Sequence, residues 1–211
     1  MDFIEKLCKE LQKPLPGVEK QYKMAAGNRV FYKEFETIDD PKESSVLIIL
    51  YPEINNWNTI FIKRTADKGP HSGQMAFPGG MFEHDDKSLY ETALREAEEE
   101  VGIDIKQVNF IGQLTPLHIP VSNVIVNPFI ATLPSRPKLT ANKSEVEEIF
   151  ETPINIFLDK NILSFFTFDY KDKTYKAPSF IIGNYTIWGA TAMIWNEFLT
   201  IYKNTLHNGA K

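Results

Sequence analysis

The spacing of the hydrophobic residues changes along this chain, and each change predicts a different element. Near the start, apolar residues recur every three or four positions until prolines interrupt the pattern; these are Ile4, Leu7, Cys8 and Leu11, followed by Pro14 and Pro16. The pattern predicts a short amphipathic helix. We expect about residues 1–44 to form a helical extension that precedes the rest of the domain.

A different pattern further along predicts strands. Residues 46–51 form an uninterrupted apolar run, which Pro52 ends and which predicts a buried strand, and residues 59–64 predict a second strand of similar length. A polar segment containing Asn55 joins them, so the two runs predict a hairpin. The other segments with strand composition are 108–114, 127–132, 164–170 and 175–182.

Helical patterns return in the middle and at the end of the chain. Ser88 is a candidate cap for a helix over 89–101, and Gly102 is a candidate left-handed residue that ends it. Residues 145–150 predict a short acidic helix or turn, and residues 187–206 a closing helix. Together these elements predict an α/β fold in which one mixed sheet lies between helices. We expect a single domain that spans residues 1–211.

Between the second strand and the middle helix, residues 65–80 have the composition of a loop. The segment is rich in glycine and proline, although residues 74–77 are able to pair briefly as a strand. Such a loop can bring backbone close to a ligand. Phe77-Pro78-Gly79-Gly80 is either a tight turn or a turn whose backbone carbonyls reach a metal ion.

Three acidic residues share one side of the middle helix. Glu96, Glu99 and Glu100 fall together beside the apolar face, whereas Glu98 points elsewhere. A charge run of this kind is commonly a solvated patch. Placed at the edge of a core, however, the carboxylates repel each other and lose hydration, and a hard divalent cation would offset both costs.

The stretch 80–103 resembles the Nudix box, the motif of the Nudix hydrolase family. The matching positions are Gly80-x5-Asp86-x8-Arg95-Glu96-Ala97-x-Glu99-Glu100-x-Gly102-Ile103. The usual box has glutamate where Asp86 stands and one residue fewer before the arginine. The likeness in fold is expected to extend over about residues 45–206.

The resemblance implies a diphosphate hydrolase that depends on Mg²⁺ or Mn²⁺. It implies metal ligands among Glu96, Glu99, Glu100 and Gly80, with catalytic roles for Arg95, Glu96 and Glu99. Glu96 is either a ligand or the general base, and Asp86 has a structural role, anchoring Arg95. The base can also come from another loop, for which the candidates are Glu145, Glu147 and Glu148. A solvated surface helix is an equally good interpretation of those three.

The loop before the box is similar to the coenzyme A pyrophosphatase branch of the family. The likeness rests on Arg64-Thr65 and on Gly73-Gln74-Met75-Ala76-Phe77-Pro78-Gly79-Gly80. Where that branch has a second arginine, this chain has Gly69 beside Lys68. The resemblance implies coenzyme A or its thioesters as substrate, with contacts from Arg64, Lys68, Gly73, Phe77, Pro78 and Gly79. ADP-ribose, a nucleotide sugar or another nucleoside diphosphate derivative is the alternative.

Composition narrows the classes of partner. With a net charge of -5 and no basic run, the chain does not have the character of a protein that binds nucleic acid by neutralising phosphates. One cysteine, no secretion signal and no apolar run long enough to span a bilayer lead us to expect a cytoplasmic protein without a membrane partner. A homodimer is compatible with the amphipathic first helix.

The alternative to an enzyme is a catalytically inactive fold of this family that senses a ligand or binds a protein.

The histidines do not predict a zinc site. His71, His84 and His118 match no zinc spacing, and we expect them at the surface or in turns.

Overall fold

The computed structural model describes residues 2–27, 39–66, 71–170 and 172–207. Lys68 and Gly69 lie outside the described residues. The helices are α1 (Phe3–Leu11), α2 (Gly17–Gln21), α3 (Leu89–Val101) and α4 (Gly189–His207), with 3₁₀ turns at Tyr22–Met24, Ile105–Gln107, Ile154–Leu158 and Lys160–Ile162. The strands are β1 (Lys42–Glu53), β2 (Asn56–Arg64), β3 (Met75–Ala76), β4 (Gly79–Met81), β5 (Asn109–Gln113), β6 (Leu117–Ile119), β7 (Val124–Thr132), β8 (Val146–Pro153), β9 (Leu163–Tyr170), β10 (Lys173–Ile182) and β11 (Tyr185–Trp188).

A mixed sheet of eight strands forms the centre of the fold. Its main path is β3-β2-β1-β7-β5, with β4 on β1, β6 on β7 and β8 on β2. The β1–β7 pair is parallel, and the other pairs of this sheet are antiparallel. β1 and β2 form the predicted hairpin, closed by a turn in which Asn55 has φ 63°.

The long apolar run of β1 is explained by burial on both faces of this sheet. Ile48 and Leu50 belong to the core under α4, whereas Leu47 and Ile49 belong to a second core under α3. A strand whose alternate side chains enter two separate cores has no polar face. The sheet between helices that the apolar pattern predicts is therefore present.

The three last strands form a separate antiparallel sheet in the order β11-β10-β9. β9 and β10 lie where the sequence predicts strands. The apolar pattern does not predict, however, that they belong to a second sheet. The closing helix begins at Gly189 rather than at Ile187, because Tyr185–Trp188 pairs with β10. From α4, Trp195 and Phe198 enter the core fully buried, as their helical spacing predicts.

The prediction of a short acidic helix or turn over 145–150 is wrong. Residues Val146–Pro153 form β8, which pairs antiparallel with β2. Val146 is fully buried and Phe150 stacks on Phe61 at 6.4 Å between ring centroids. Burial of these apolar side chains against β2 outweighs the preference of the neighbouring exposed glutamates for a helix or turn.

α1 belongs to the same body as the central sheet. Its Leu7 is fully buried in the core under α4, and Phe3 packs on Trp57 at 5.0 Å and Tyr202 at 5.6 Å. The helix is amphipathic, as its apolar spacing predicts. Within the described part of the chain, no helix combines the length and apolarity needed to cross a membrane.

Candidate metal centre

Helix α3 is fixed at both ends by the residues that the sequence predicts. The Ser88 hydroxyl accepts a hydrogen bond from Glu91 N at 3.2 Å, and Gly102 is left-handed with φ 71°. Ala93 and Ala97 are fully buried against the sheet, and their small side chains let the helix lie close to β1. The next residues around the helix, Glu96 and Glu100, are thereby brought to the edge of the core.

Two glycines receive these carboxylates. The Gly79 N–H donates to Glu100 Oε2 at 2.8 Å. At Gly80, a β-carbon would lie 2.3 Å from the carboxylate carbon of Glu96, so a larger residue would displace that side chain. At Gly79 it would lie 2.3 Å from the carbonyl oxygen of Ser45 in β1. The Gly-Gly pair is therefore a steric requirement of the site.

A third carboxylate comes from outside the helix. Glu145, which directly precedes β8, has a carboxylate oxygen that lies with one oxygen each of Glu96 and Glu100 inside a group whose members are all within 4.8 Å of one another. Among the described residues, this is the group of His, Cys, Asp and Glu side chains with spacing suited to a metal ion. The sequence placed Glu145 only among three equal candidates. The other two are engaged elsewhere: Glu147 pairs with Lys63 at 2.6 Å, and Glu148 accepts from the Tyr185 hydroxyl.

The electrostatics of the cluster follow from burial. Glu100 is 1% exposed, and loss of hydration raises its pKa to about 7, against the hydrogen bond from Gly79 and the attraction of Arg64. Burial also raises the pKa of Glu96, while the Arg95 guanidinium opposes this. The negative charge of the neighbouring Glu145 also raises the pKa of both Glu96 and Glu100. A cation bound among these carboxylates would offset the free-energy cost of their burial and mutual repulsion.

Arg64, at the end of β2, faces the cluster. Its Nη1 lies 3.6 Å from Glu100 Oε1, and its side chain is 34% exposed. The guanidinium therefore reaches both the acidic group and solvent. A ligand phosphate arriving there would meet a positive charge beside the carboxylates.

Asp86 anchors Arg95, as the resemblance implies. Its carboxylate accepts from Arg95 Nε at 3.0 Å and from Nη2 at 3.1 Å, and also from the Thr92 hydroxyl at 2.9 Å. The hydrogen bonds from Arg95 hold the pKa of Asp86 well below its usual range. Aspartate with one extra residue of spacing thus still reaches the arginine that the box requires.

Arg95 in turn lies between two carboxylates of its own helix. Its Nη1 is 2.9 Å from Glu96 Oε1 and 3.4 Å from Glu99 Oε2. Glu99 is 55% exposed and does not belong to the group of three. The structure therefore brings Glu96 and Glu100 together as predicted, with Glu99 on the solvent side of Arg95.

The loop residues predicted to touch substrate fall into two groups. Phe77 is 2% exposed and packs on Phe61 at 4.9 Å, and buried Pro78 accepts from Leu47 N at 2.8 Å through its carbonyl. These two hold the Gly-Gly turn from the core side. Gly73 is exposed, left-handed with φ 67°, and faces open space.

His118 departs from the expected surface position. It is 5% exposed in β6, and its Nε2 lies 3.1 Å from the side-chain oxygen of Asn123. His84 is exposed and His71 lies in a turn, as expected. Among the described residues none of the three belongs to the acidic group.

The cluster suits a small, hard cation. All three side chains offer carboxylate oxygens, the ligands that Mg²⁺ and Mn²⁺ prefer, and the lack of a side chain at Gly80 leaves room for the carboxylate of Glu96. Glu96 and Glu100 are buried, and this burial raises the pKa of each although Arg95 and Arg64 oppose the rise. These features fit a divalent ion at this place.

Comparison with known proteins points to one family. The model of the NUDIX domain family matches residues 41–164. An uncharacterized Nudix hydrolase, NudL, from Photorhabdus laumondii subsp. laumondii is 36% identical over 138 residues, which cover 65% of this chain and 73% of that protein.

Solved structures show the same fold. A MutT/nudix family protein from Enterococcus faecalis matches with a TM-score of 0.52 and 19% identity, covering 94% of this chain and 73% of the other. RenU, a Nudix hydrolase from M. smegmatis, matches with a TM-score of 0.55 and 12% identity, covering 77% and 86%. The predicted fold class, a mixed sheet flanked by helices, is confirmed.

Proposed function

Because the chain belongs to the Nudix family, we propose that it hydrolyses the diphosphate bond of a nucleoside diphosphate derivative, using Mg²⁺ or Mn²⁺ bound by Glu96, Glu100 and Glu145. The observation that carries this proposal is the approach of three carboxylates within 4.8 Å beside Gly80, where a β-carbon would strike Glu96. Repulsion and burial make this arrangement costly without a cation. A hydrolase that binds its metal there recovers that cost.

The chain's own residues divide the work as follows. A bound divalent ion supplies charge neutralisation for the diphosphate and a water of lowered pKa. Arg95, fixed by Asp86, orients Glu96 towards the cluster. Glu96 and Glu99 are the proposed catalytic carboxylates, with Glu96 as ligand or general base. Glu99 is exposed on the solvent side of Arg95, where it is available to a second cation or to water.

The substrate we propose is coenzyme A or a thioester of it. The support is the likeness of residues 73–80 and of Arg64-Thr65 to the coenzyme A branch, together with the position of Arg64 next to Glu100. Cleavage would give 3′-phosphoadenosine 5′-phosphate and 4′-phosphopantetheine or its acyl form. Arg64 would then receive a phosphate of the substrate, with Lys68 and Gly73 as further proposed contacts.

The hydrolytic proposal is tested by replacing single carboxylates. Diphosphate hydrolysis is measured with and without Mg²⁺ for the wild type and for Glu100→Gln, Glu145→Gln and Glu99→Gln. We expect losses of about 10²-fold or more in kcat for Glu100→Gln and a metal requirement in every active form. Glu98→Gln is the matched control, because Glu98 is an exposed acid of the same helix turn. Unchanged turnover in Glu100→Gln would contradict the metal site, and unchanged turnover in Glu99→Gln would reject the catalytic role proposed for Glu99.

The substrate is tested with a panel of candidate diphosphates, each assayed separately. Coenzyme A, ADP-ribose, NADH and nucleotide sugars are compared by kcat/KM with identification of the products. We expect coenzyme A to lead the panel, and Arg64→Gln to raise KM for it. A clear preference for ADP-ribose or a nucleotide sugar would reject coenzyme A and leave the diphosphate hydrolase standing.

The inactive ligand-binding module is the second candidate. It would bind Mn²⁺ and a nucleotide without turnover. Retention of Arg95, Glu96, Glu99 and Glu100 favours the enzyme. Calorimetric titration of metal and ligand alongside product analysis distinguishes the two, because binding without product formation over the whole panel would support the module.

A further inference from the structure

The third carboxylate of the cluster depends on a loop rather than on the helix that carries the other two. Glu145 lies at the end of the connection between β7 and β8, and its side chain is exposed. Such a carboxylate has no packing of its own to hold it near Glu96 and Glu100, and like charge repels it. The connection therefore has to be attached to α3 by other contacts.

Those contacts involve the C-terminal carbonyls of α3, which have no partner within the helix. Thr140 N donates to Val101 O at 2.9 Å, and Asn142 N donates to Glu100 O at 3.0 Å. Asn142 is thus attached to the backbone of Glu100, one of the buried carboxylates. The last turn of α3 and the loop that carries Glu145 are joined at this residue.

Asn142 also closes the turn that ends at Glu145. Its carbonyl accepts from Glu145 N at 3.0 Å and from Val146 N at 2.8 Å. Its side-chain oxygen accepts from Ser144 N at 3.2 Å and from the Ser144 hydroxyl at 2.7 Å. This is the turn that an asparagine side chain makes with the backbone two residues on. Asn142 Nδ2 lies 3.5 Å from Glu145 Oε1, so the amide also faces the carboxylate.

The same turn is attached to the strand that carries Arg64. Thr65 N donates to Glu145 O at 2.9 Å, and the Thr65 hydroxyl donates to Ser144 O at 3.3 Å. The turn is therefore held from α3 on one side and from the end of β2 on the other. The neutral amide of Asn142, at the first position of the turn, makes its side-chain hydrogen bonds to Ser144 and Glu145 without adding a fourth negative charge.

We infer that Asn142 is a positioning residue of the metal centre, which holds Glu145 against Glu96 and Glu100 by closing the turn and linking it to the last turn of α3. This inference rests on the proposed function, since it gives Glu145 the role of a metal ligand. Asn142 itself acts through Glu145. Its side chain sets the affinity of the site for a divalent ion rather than the stability of the fold.

The test measures Mn²⁺ binding to the full chain by electron paramagnetic resonance, without substrate. Asn142→Ala keeps the backbone hydrogen bonds and loses the side-chain turn, and we expect it to weaken Mn²⁺ binding about tenfold, the lower end of the effect of residues that orient ligands. Asn142→Ser keeps a short hydroxyl acceptor for Ser144, and we expect it to restore most of the affinity. Asn155→Ala is the matched control: Asn155 is exposed and makes one side-chain hydrogen bond, to Asn56 at 2.7 Å.

A double-mutant cycle separates a role through Glu145 from a general structural role. Glu145→Gln weakens Mn²⁺ binding if Glu145 is a ligand, and adding Asn142→Ala to it then causes no further loss. Wild-type affinity in Asn142→Ala, equal loss in the serine variant, or full additivity in the double mutant would each overturn the role of Asn142. Wild-type affinity in Glu145→Gln would instead reject the third ligand, which is the failure of the proposed site.

Discussion

Burial of Glu100 makes the metal-free protein sensitive to pH, and replacement by glutamine tests this directly. Glu100→Gln keeps the shape of the side chain and an acceptor for the Gly79 N–H, but removes the charge. Since burial raises the pKa of Glu100 from an ordinary 4.5 to about 7, ionising it in the folded protein costs about 3 kcal/mol, at about 1.4 kcal/mol per pKa unit. We expect the variant to recover that amount where Glu100 is ionised.

The pH window follows from the direction of the pKa change. A carboxyl group with a raised pKa holds its proton more tightly in the folded than in the unfolded chain. Its contribution to stability is therefore complete below about pH 4.5 and is lost as the pH rises through about 7. The gain of Glu100→Gln over the wild type should be below about 1 kcal/mol at pH near 5 and about 3 kcal/mol at pH near 8.

The assay is thermal and urea unfolding in the presence of EDTA at both pH values and constant ionic strength. For a chain of this length, about 3 kcal/mol corresponds to a rise in Tm of roughly 6–12 °C. Added Mn²⁺ should stabilise the wild type and leave the variant unchanged. Glu98→Gln changes an exposed neighbour and keeps Glu100, so its stability relative to the wild type should be the same at the two pH values. An equal effect of Glu100→Gln at both pH values, or destabilisation near pH 8, would refute the reasoning.

Three further substitutions probe other parts of the structure. Gly80→Ala places a methyl group where the Glu96 carboxylate lies, so Mn²⁺ affinity should fall by about tenfold or more in a binding titration, and an unchanged affinity would remove the steric argument. Gly102→Ala forces a β-carbon into a left-handed position and should lower the free energy of unfolding in urea by about 1–2 kcal/mol; no loss would mean that the helix end adjusts freely. Glu197→Ala removes the buried carboxylate that accepts hydrogen bonds from Gly17 N at 2.9 Å and from the Thr115 hydroxyl at 2.7 Å. It should lower the free energy of unfolding in urea by about 3 kcal/mol. A change within experimental error would show that water replaces the carboxylate.

The middle helix illustrates how much local sequence can specify. Ser88 and Gly102 each act on the end of the helix that they flank, and the apolar face repeats from turn to turn, so local pattern alone predicts the bounds of α3, and the structure confirms them. The buried runs of β1 and β2 are equally local. The resemblance of the box adds the acidic positions and the link between Asp86 and Arg95, which the structure also contains.

The errors come from contacts between distant segments. The acidic residues near 145 favour a helix or turn locally, but pairing with β2 and burial of Val146 decide for a strand. The separation of β9, β10 and β11 into a second sheet depends on which strands meet, and no local pattern states it. His118 is buried in β6, which pairs with β7, and its burial is a third feature that the sequence analysis missed.

The sequence by itself determined the family, the helix with its caps, and the identity of the acids available for a metal ion. Only the tertiary structure decided which acids meet, because that depends on side-chain burial and on hydrogen bonds between segments. Arg95 lies between Glu96 and Glu99 and leaves Glu99 exposed, while the loop attached to α3 by Asn142 brings in Glu145. A carboxylate that is 45 residues distant from Glu100 along the chain becomes its neighbour only when the sheet and helix have packed.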